Sequence, residues 1–85
     1  DPALVSVSAH CKIEMLNDNL LITDLMNVLK HGKIRKKGQL DAETDEFIYR
    51  IETGRIVVVF KFRDFTRGNR IDTGIKLVTC WRKGS

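Results

Sequence analysis

The sequence predicts an α+β fold, in which two N-terminal helices pack on one face of a roughly four-stranded antiparallel sheet. Two observations support this prediction. In the first third of the chain the apolar residues recur every three to four positions, which is the period of a helix. After Gly32 they alternate with polar residues, and β-branched and aromatic residues become frequent. With 85 residues there is room for one small domain, which we assign to residues 1–85.

The first helix is predicted over residues 6–16, with Val7 and Cys11 on its buried side. Either Ser6 or Ser8 could cap its start, because a hydroxyl oxygen can accept a backbone N–H there. The run Asn-Asp-Asn that follows favours a turn, since these side chains compete for backbone hydrogen bonds.

The second helix is predicted to start near Thr23, whose hydroxyl would cap it, and to bury Leu25. His31 is a cation suited to the negative end of a helix, so a structural role is sufficient for it. Gly32 fits the left-handed residue that commonly follows a helix.

Four strands follow, and the alternation predicts them over residues 33–37, 46–52, 55–63 and 74–82. Thr53 and Gly54 form a two-residue hairpin turn, which would place Arg50 opposite Val57. Residues 64–69 are polar and are predicted to form a loop.

The strand over 55–63 has one apolar side that should pack beneath the helices, formed by Ile56, Val58, Phe60 and Phe62. Its other side ends in Lys61 and Arg63, about 7 Å apart in a regular strand. Arg50 falls on that same side. An Arg in the middle of a sheet needs a partner. A carboxylate such as Glu14 or Glu46 would make its role structural, whereas a bound phosphate would make it functional.

The last strand leaves two alternatives for its faces. If Leu77 and Trp81 point inward, Lys76 and Arg82 extend the cationic surface. If they point outward, Trp81 and Thr79 offer a stacking platform and a hydroxyl that suit RNA bases.

Charge and cysteine content narrow the function classes. Fifteen Lys and Arg against eleven Asp and Glu give a net charge of +4, which favours polyanionic partners such as nucleic acids. Cys11 and Cys80 have no metal-ligand companions nearby in sequence, so we expect buried free thiols, with a disulfide as the alternative for an exported chain. We expect no metal and no cofactor.

Familiar catalytic motifs are missing from the sequence. It has no P-loop, dinucleotide fingerprint, nucleophile elbow or EF-hand loop, which argues against nucleotide kinases, dinucleotide enzymes, serine hydrolases and calcium sensors. No apolar run reaches the roughly 18 to 20 residues of a spanning helix, and the first residues do not resemble a signal peptide. We therefore expect a cytoplasmic protein with no membrane partner.

Three segments carry a resemblance to a known group of proteins: "LLITDLMNVLKHG" over 20–32, "IYRIETGRIVVVFKF" over 48–62, and "KLVTCWRK" over 76–83. With Ser8-Ala9-His10, they resemble the RelE-like toxin superfamily, especially its MqsR-like and BrnT-like branches. The resemblance covers most of the chain.

The resemblance implies a metal-independent mRNA endonuclease, acting freely or on the ribosome and restrained by a cognate antitoxin. In such enzymes the RNA 2′-hydroxyl attacks its own phosphate and leaves a cyclic phosphate. Arg50 matches the phosphate-binding Arg of a middle strand, and Lys61 matches a Lys of the following strand. Trp81 stands where Tyr is common, and Trp has no phenolic oxygen for acid or base work. Either proton transfer then falls to His10 with Lys61, or this chain binds RNA poorly and has another role.

From these observations we expect a metal-independent RNA endonuclease toxin of a bacterial toxin-antitoxin system. The expected catalytic residues are His10, Arg50 and Lys61. The expected RNA-binding residues are Lys33, Arg35, Arg63, Arg67, Trp81 and Arg82. The alternatives are a noncatalytic RNA- or protein-binding module of the same fold, and a toxin domain excised from a larger effector with an immunity protein as partner.

Overall fold

The computed structural model describes residues 5–41 and 46–84, and within them the side chains of all but residues 36–39, 41 and 67. The described residues form seven elements: β1 (Val5–Val7), α1 (Ala9–Asn17), α2 (Ile22–His31), β2 (Lys33–Asp41), β3 (Glu46–Glu52), β4 (Ile56–Arg67) and β5 (Arg70–Arg82). The sequence predicts a loop between the strand that ends at residue 37 and β3. The structure shortens this loop, because β2 continues to Asp41. Residues 42–45 of the predicted loop lie outside the described residues.

The strands form one mixed sheet in the order β1-β5-β4-β3-β2 within the described part of the chain. The α+β prediction is confirmed, but the sheet has five strands instead of four. The additional strand is β1, which pairs in parallel with β5 through Val5 and Ile75, whereas the other pairs are antiparallel. A strand of three residues is too short to show an alternating pattern. The helix predicted over residues 6–16 therefore includes the end of β1.

Helix α1 begins after Ser8, one of the two predicted caps. The N–H of Cys11 donates to Ser8 Oγ at 3.0 Å, and this hydroxyl donates to the carbonyl of Val78 at 2.8 Å. Ser8 therefore both caps α1 and fastens its start to β5.

Helix α2 begins at Ile22, so the predicted Thr23 cap is wrong and Thr23 lies within the first turn. The Asp24 carboxylate instead accepts the backbone N–H of Leu21 at 2.8 Å. A carboxylate at this end also suits the positive pole of the helix.

Gly32 ends α2, but not in the predicted left-handed conformation, since its φ is −73°. The reason for glycine is a close approach. A Cβ here would lie 2.6 Å from the carbonyl oxygen of Val28 and 2.9 Å from Cγ1 of Ile51. The absence of a side chain therefore lets the end of α2 lie directly against β3.

The hairpin between β3 and β4 turns one residue later than predicted. The N–H of Thr53 donates to the carbonyl of Ile56 at 3.0 Å, so the turn residues are Gly54 and Arg55. As a result Arg50 lies opposite Val59, two positions beyond the predicted partner. A shift of two residues keeps every side chain on its predicted face.

Strands β4 and β5 are longer than predicted, because the expected loop over 64–69 is mostly strand. The two strands stay paired out to Arg67 and Arg70, and Gly68 with a φ of 56° forms the tight turn. Gly at the first turn position is typical of type II′ hairpin turns. This end of the hairpin is largely exposed and polar, so it lacks the apolar alternation that predicts a strand.

The hydrophobic core lies between both helices and one face of the sheet. Its buried members are Cys11, Leu20, Leu25, Val28, Ile51, Val58, Phe60, Leu77 and Cys80. Phe62, which was expected beneath the helices, is 51% exposed and packs edge-on against Tyr49 and Phe60, with Tyr49 5.2 Å away between ring centroids. The helices are too short to cover this end of the sheet.

A β-bulge in β5 decides which side chains reach the other face of the sheet. Val59 pairs with Thr79 but the next residue, Phe60, pairs with Leu77, so Val78 is an extra residue. The alternation of β5 reverses there. Leu77 points to the core, whereas Thr79 and Trp81 point away from it. The alternative with these side chains pointing inward is therefore correct for the half of β5 before the bulge. The alternative with them pointing outward is correct for the half after it.

Candidate anion-binding surface

The sheet face opposite the helices, which we call the open face, carries Arg50 and Trp81. The Arg50 guanidinium lies 5.2 Å from the centroid of the Trp81 ring. Its Nε donates to Glu52 Oε2 at 3.0 Å. The carboxylate partner of Arg50 is thus its neighbour along β3, and neither Glu14 nor Glu46 fills that role. Val57, paired with both Glu52 and Trp81, is fully buried in the row between them.

Lys61 lies on the same face, diagonal to Arg50 across the β3–β4 pair. Diagonal neighbours in a sheet are about 7 to 8 Å apart, so the two cations could contact one phosphate or two successive phosphates. Lys61 is only 9% exposed, and its Nζ donates to Glu46 Oε1 at 2.8 Å. Lys76 stands directly opposite Lys61 on β5. The Glu46 carboxylate therefore offsets the repulsion between two facing cations.

A second group of charges surrounds the Glu52 carboxylate. Among the described side chains, three cations lie within ion-pair distance: Lys83 Nζ at 2.7 Å, Arg50 Nε at 3.0 Å and Arg35 Nε at 3.6 Å. The hydrogen bond from Lys83 is the main cause that lowers the pKa of Glu52, and the bond from Arg50 adds to it against the opposing effect of burial. Glu52 is accordingly an anion at neutral pH.

A pocket of about 300 Å³ opens beside this carboxylate, where α2 ends and β2 begins. We call it the strand-end pocket. Its lining residues are His31, Lys33, Arg35, Glu52, Thr53, Gly54 and Lys83. The backbone N–H of Lys83 donates to the carbonyl of Arg55 at 2.7 Å, which fastens the end of the last strand to the β3–β4 turn.

The open face and the strand-end pocket contain several, but not all, of the expected site residues. Arg50, Lys61, Arg63 and Trp81 share the open face, with Arg63 exposed farther along β4. Lys33 and Arg35 line the pocket. Sequence reasoning missed Glu52 and Lys83, which are 31 residues apart and meet only in the folded chain.

His10 is on the opposite side of the molecule. It lies on α1 with a 65% exposed side chain, and its Nε2 is 3.9 Å from Glu14 Oε1. Since α1 packs on the core face, the sheet separates His10 from Arg50 and Lys61. The structure therefore does not bring together the three expected catalytic residues.

Arg82 also lies on the core side of the sheet. Its backbone N–H donates to Asp18 Oδ2 at 2.7 Å, and its guanidinium donates to the carbonyls of Asp18 and Asn19. These bonds hold the α1–α2 loop against β5. The Arg82 side chain is thereby held in a structural contact, away from Arg50 and Trp81. The side chain of Arg67, the remaining expected RNA-binding residue, is not among those that the structure describes.

Comparison with known proteins adds no relatives to this description. No protein-family model matches the sequence, no curated protein matches it, and no solved structure matches the fold. In residues 5–41 and 46–84 there is no group of three or more His, Cys, Asp or Glu side chains that could hold a metal ion. The described helices are all too short or too polar to cross a membrane.

Proposed function

We propose that this chain is a RelE-like endoribonuclease toxin that binds and cleaves single-stranded RNA on the open face. The observation that carries the proposal is the grouping of Arg50, Trp81 and Lys61 on the sheet face that no described helix covers. An indole ring stacks on bases regardless of sequence, and the neighbouring cations suit the phosphates of the same strand.

Cleavage on this face would use Glu46 and Lys61 as the acid-base pair, in place of His10. Glu46 would take the proton of the RNA 2′-hydroxyl, whose oxygen then attacks the adjacent phosphorus. The bond from phosphorus to the 5′-oxygen breaks, a 2′,3′-cyclic phosphate remains, and Lys61 gives a proton to the leaving 5′-oxygen. Arg50 would stabilise the charge that develops on the phosphoryl oxygens. The 2.8 Å contact between Glu46 and Lys61 then allows the proton to return.

The second candidate function is a noncatalytic RNA-binding module with the same open face. It is favoured by one observation: Arg50 and Lys61 both already contact carboxylates. To reach a phosphate each cation must leave or share its carboxylate, which reduces the gain from binding.

The first test is incubation of a labelled single-stranded RNA with the purified chain in EDTA, followed by analysis of products and of retained complex. We expect cyclic-phosphate ends. Replacing Lys61 with Ala or Glu46 with Gln should lower the cleavage rate by about 10² to 10³. His10→Ala is the matched control and should cleave at the wild-type rate.

Binding without cleavage would replace the nuclease proposal with the noncatalytic module. Loss of cleavage in His10→Ala with full activity in Glu46→Gln would contradict the acid-base pair. Because Lys61 is buried and hydrogen-bonded, Lys61→Ala should also cost about 1.5 to 3 kcal/mol of stability. Circular dichroism and urea unfolding of each variant therefore accompany the assay, so that lost activity is not confused with lost structure.

The proposal includes an acidic antitoxin, or an immunity protein if the chain is part of a larger effector, that restrains the enzyme in the bacterial cytoplasm. An acidic partner suits the net charge of +4 and the cations of the open face. Expression in bacteria with and without such a partner tests this part. Growth arrest that is absent in Glu46→Gln is the expected result.

A further inference from the structure

The strand-end pocket lies at the edge of the open face, where β3 ends, and none of its lining residues acts in the cleavage chemistry above. Its three permanent cations, Lys33, Arg35 and Lys83, outnumber the single carboxylate of Glu52 and leave a net charge of +2. That charge matches the dianion of a phosphate monoester, which carries close to two negative charges at neutral pH. A backbone phosphodiester carries only one.

The shape of the pocket also suits a terminal group. Its volume of about 300 Å³ is at the lower end of the usual range for ligand sites. One wall is formed by Thr53, which follows the end of β3, and by Gly54 of the β3–β4 turn. A phosphate group, alone or at the end of a chain, can enter a site of this size.

Glu52 holds the position that an anion would occupy. Its carboxylate contacts Lys83 at 2.7 Å and Arg35 at 3.6 Å, and both of these cations also line the pocket. Arg50 contacts the same carboxylate from the open face at 3.0 Å. A bound phosphate would share or displace Glu52, and its bonds to Lys83 and Arg35 would replace those of the carboxylate.

We propose that the strand-end pocket binds a phosphate monoester, and that Glu52 is an internal carboxylate that competes with this ligand. The monoester can be the terminal phosphate of an oligonucleotide or free inorganic phosphate. The proposal does not depend on RNA cleavage, so each can fail without the other.

The test is titration of the ¹⁵N-labelled full chain with inorganic phosphate at low salt. The amide chemical shifts are followed by NMR. Wild type should bind, with shifts around Thr53 and Lys83. Lys83→Gln and Arg35→Gln should each weaken binding about tenfold or more, because each removes a charge-assisted bond. Glu52→Gln should strengthen it by a similar factor. Arg55→Gln is the matched control, since Arg55 is an exposed cation of the adjacent turn that does not line the pocket.

A second arm compares 5′-phosphorylated and 5′-hydroxyl dinucleotides of one sequence, each competing with inorganic phosphate. Tighter binding of the phosphorylated form by tenfold or more identifies an oligonucleotide end as the ligand, and failure of both dinucleotides to displace phosphate identifies free phosphate; both support the pocket. Equal displacement of phosphate by the two dinucleotides would overturn the proposal, because a phosphodiester would then bind as well as a monoester. Equal weakening by Arg55→Gln and Lys83→Gln would overturn the proposal, as would no binding at 10 mM phosphate, taken as about the weakest useful affinity. If Glu52→Gln does not fold, Lys83→Gln and Arg35→Gln still decide the outcome.

Discussion

The Arg50 guanidinium lies 5.2 Å from the centroid of the Trp81 ring and thereby joins β3 to β5 across the width of β4. This contact depends on the bulge at Val78, which turns Trp81 away from the core. Without the extra residue Trp81 would continue the alternation of Leu77 and point toward the helices. The bulge therefore places the aromatic ring on the open face beside the cation.

Trp81 is the one tryptophan of the chain, so its fluorescence reports directly on the open face. We expect single-stranded RNA to quench this emission in a salt-dependent manner, because a base would stack on the ring while cations contact phosphates. Trp81→Leu should weaken RNA binding by about 1 to 3 kcal/mol, measured by fluorescence anisotropy of labelled RNA. His10→Gln, altered on the helix side of the sheet with a 65% exposed side chain, is the control. Unchanged emission at saturating RNA would place the binding surface elsewhere.

Gly32→Ala should destabilise the fold by about 1 to 3 kcal/mol, because the new methyl group would overlap backbone atoms. Its Cβ would meet the carbonyl oxygens of Val28 and Glu52 at 2.6 and 3.0 Å. Gly54→Ala is the matched control, since a Cβ there has no neighbour within 4 Å. Urea unfolding measures both. Equal midpoints for the two variants would mean that the end of α2 moves away from β3 at little cost.

The Cys11 and Cys80 thiols should be unreactive toward a thiol reagent at pH 8 in the native protein and fully reactive in guanidinium chloride. Both are free and buried, as expected from the sequence, and their sulfur atoms are 3.8 Å apart. Burial is the main cause that raises the pKa of Cys80 to about 12, and the neighbouring Cys11 adds to it. Rapid labelling of the folded chain would contradict this.

The Cys80 thiol should make the free energy of unfolding fall as the pH rises. Above about pH 8.5 the unfolded chain begins to lose the thiol proton, while folded Cys80 keeps it until about pH 12. The unfolded state then binds fewer protons than the folded state, and the free energy of unfolding decreases across this range. Urea midpoints of wild type and Cys80→Ala between pH 8 and 11 measure the effect. The variant should show the smaller decrease.

Glu52→Gln should destabilise the fold at neutral pH, and the difference from wild type should shrink in acid. The bond from Lys83 lowers the pKa of Glu52, so the stabilising contribution is complete above about 4.3, the usual value for a Glu carboxyl. It is lost as the pH falls through the lower folded value, because the carboxylate then gains a proton. Urea midpoints at pH 7 and pH 3 provide the comparison. A constant difference would show that Glu52 acts through its shape and not its charge.

Local sequence determined the elements whose patterns are regular. The period of α2 and the alternation of β3 and the first half of β4 predict these elements to within one or two residues. The apolar side of β4 from Ile56 to Phe60 and the cationic position of Lys61 follow from the same alternation, because side chains in a strand change face at every residue.

Tertiary structure alone decided the features that depend on distant residues. The pairing of β1 with β5, the bulge at Val78 and the contact between Glu52 and Lys83 each join segments that no local pattern connects. The bulge matters most, since one extra residue reverses the faces of a strand. The side of the sheet on which His10 lies was likewise decided by the packing of α1, because a helix can cover either face and its sequence does not specify which.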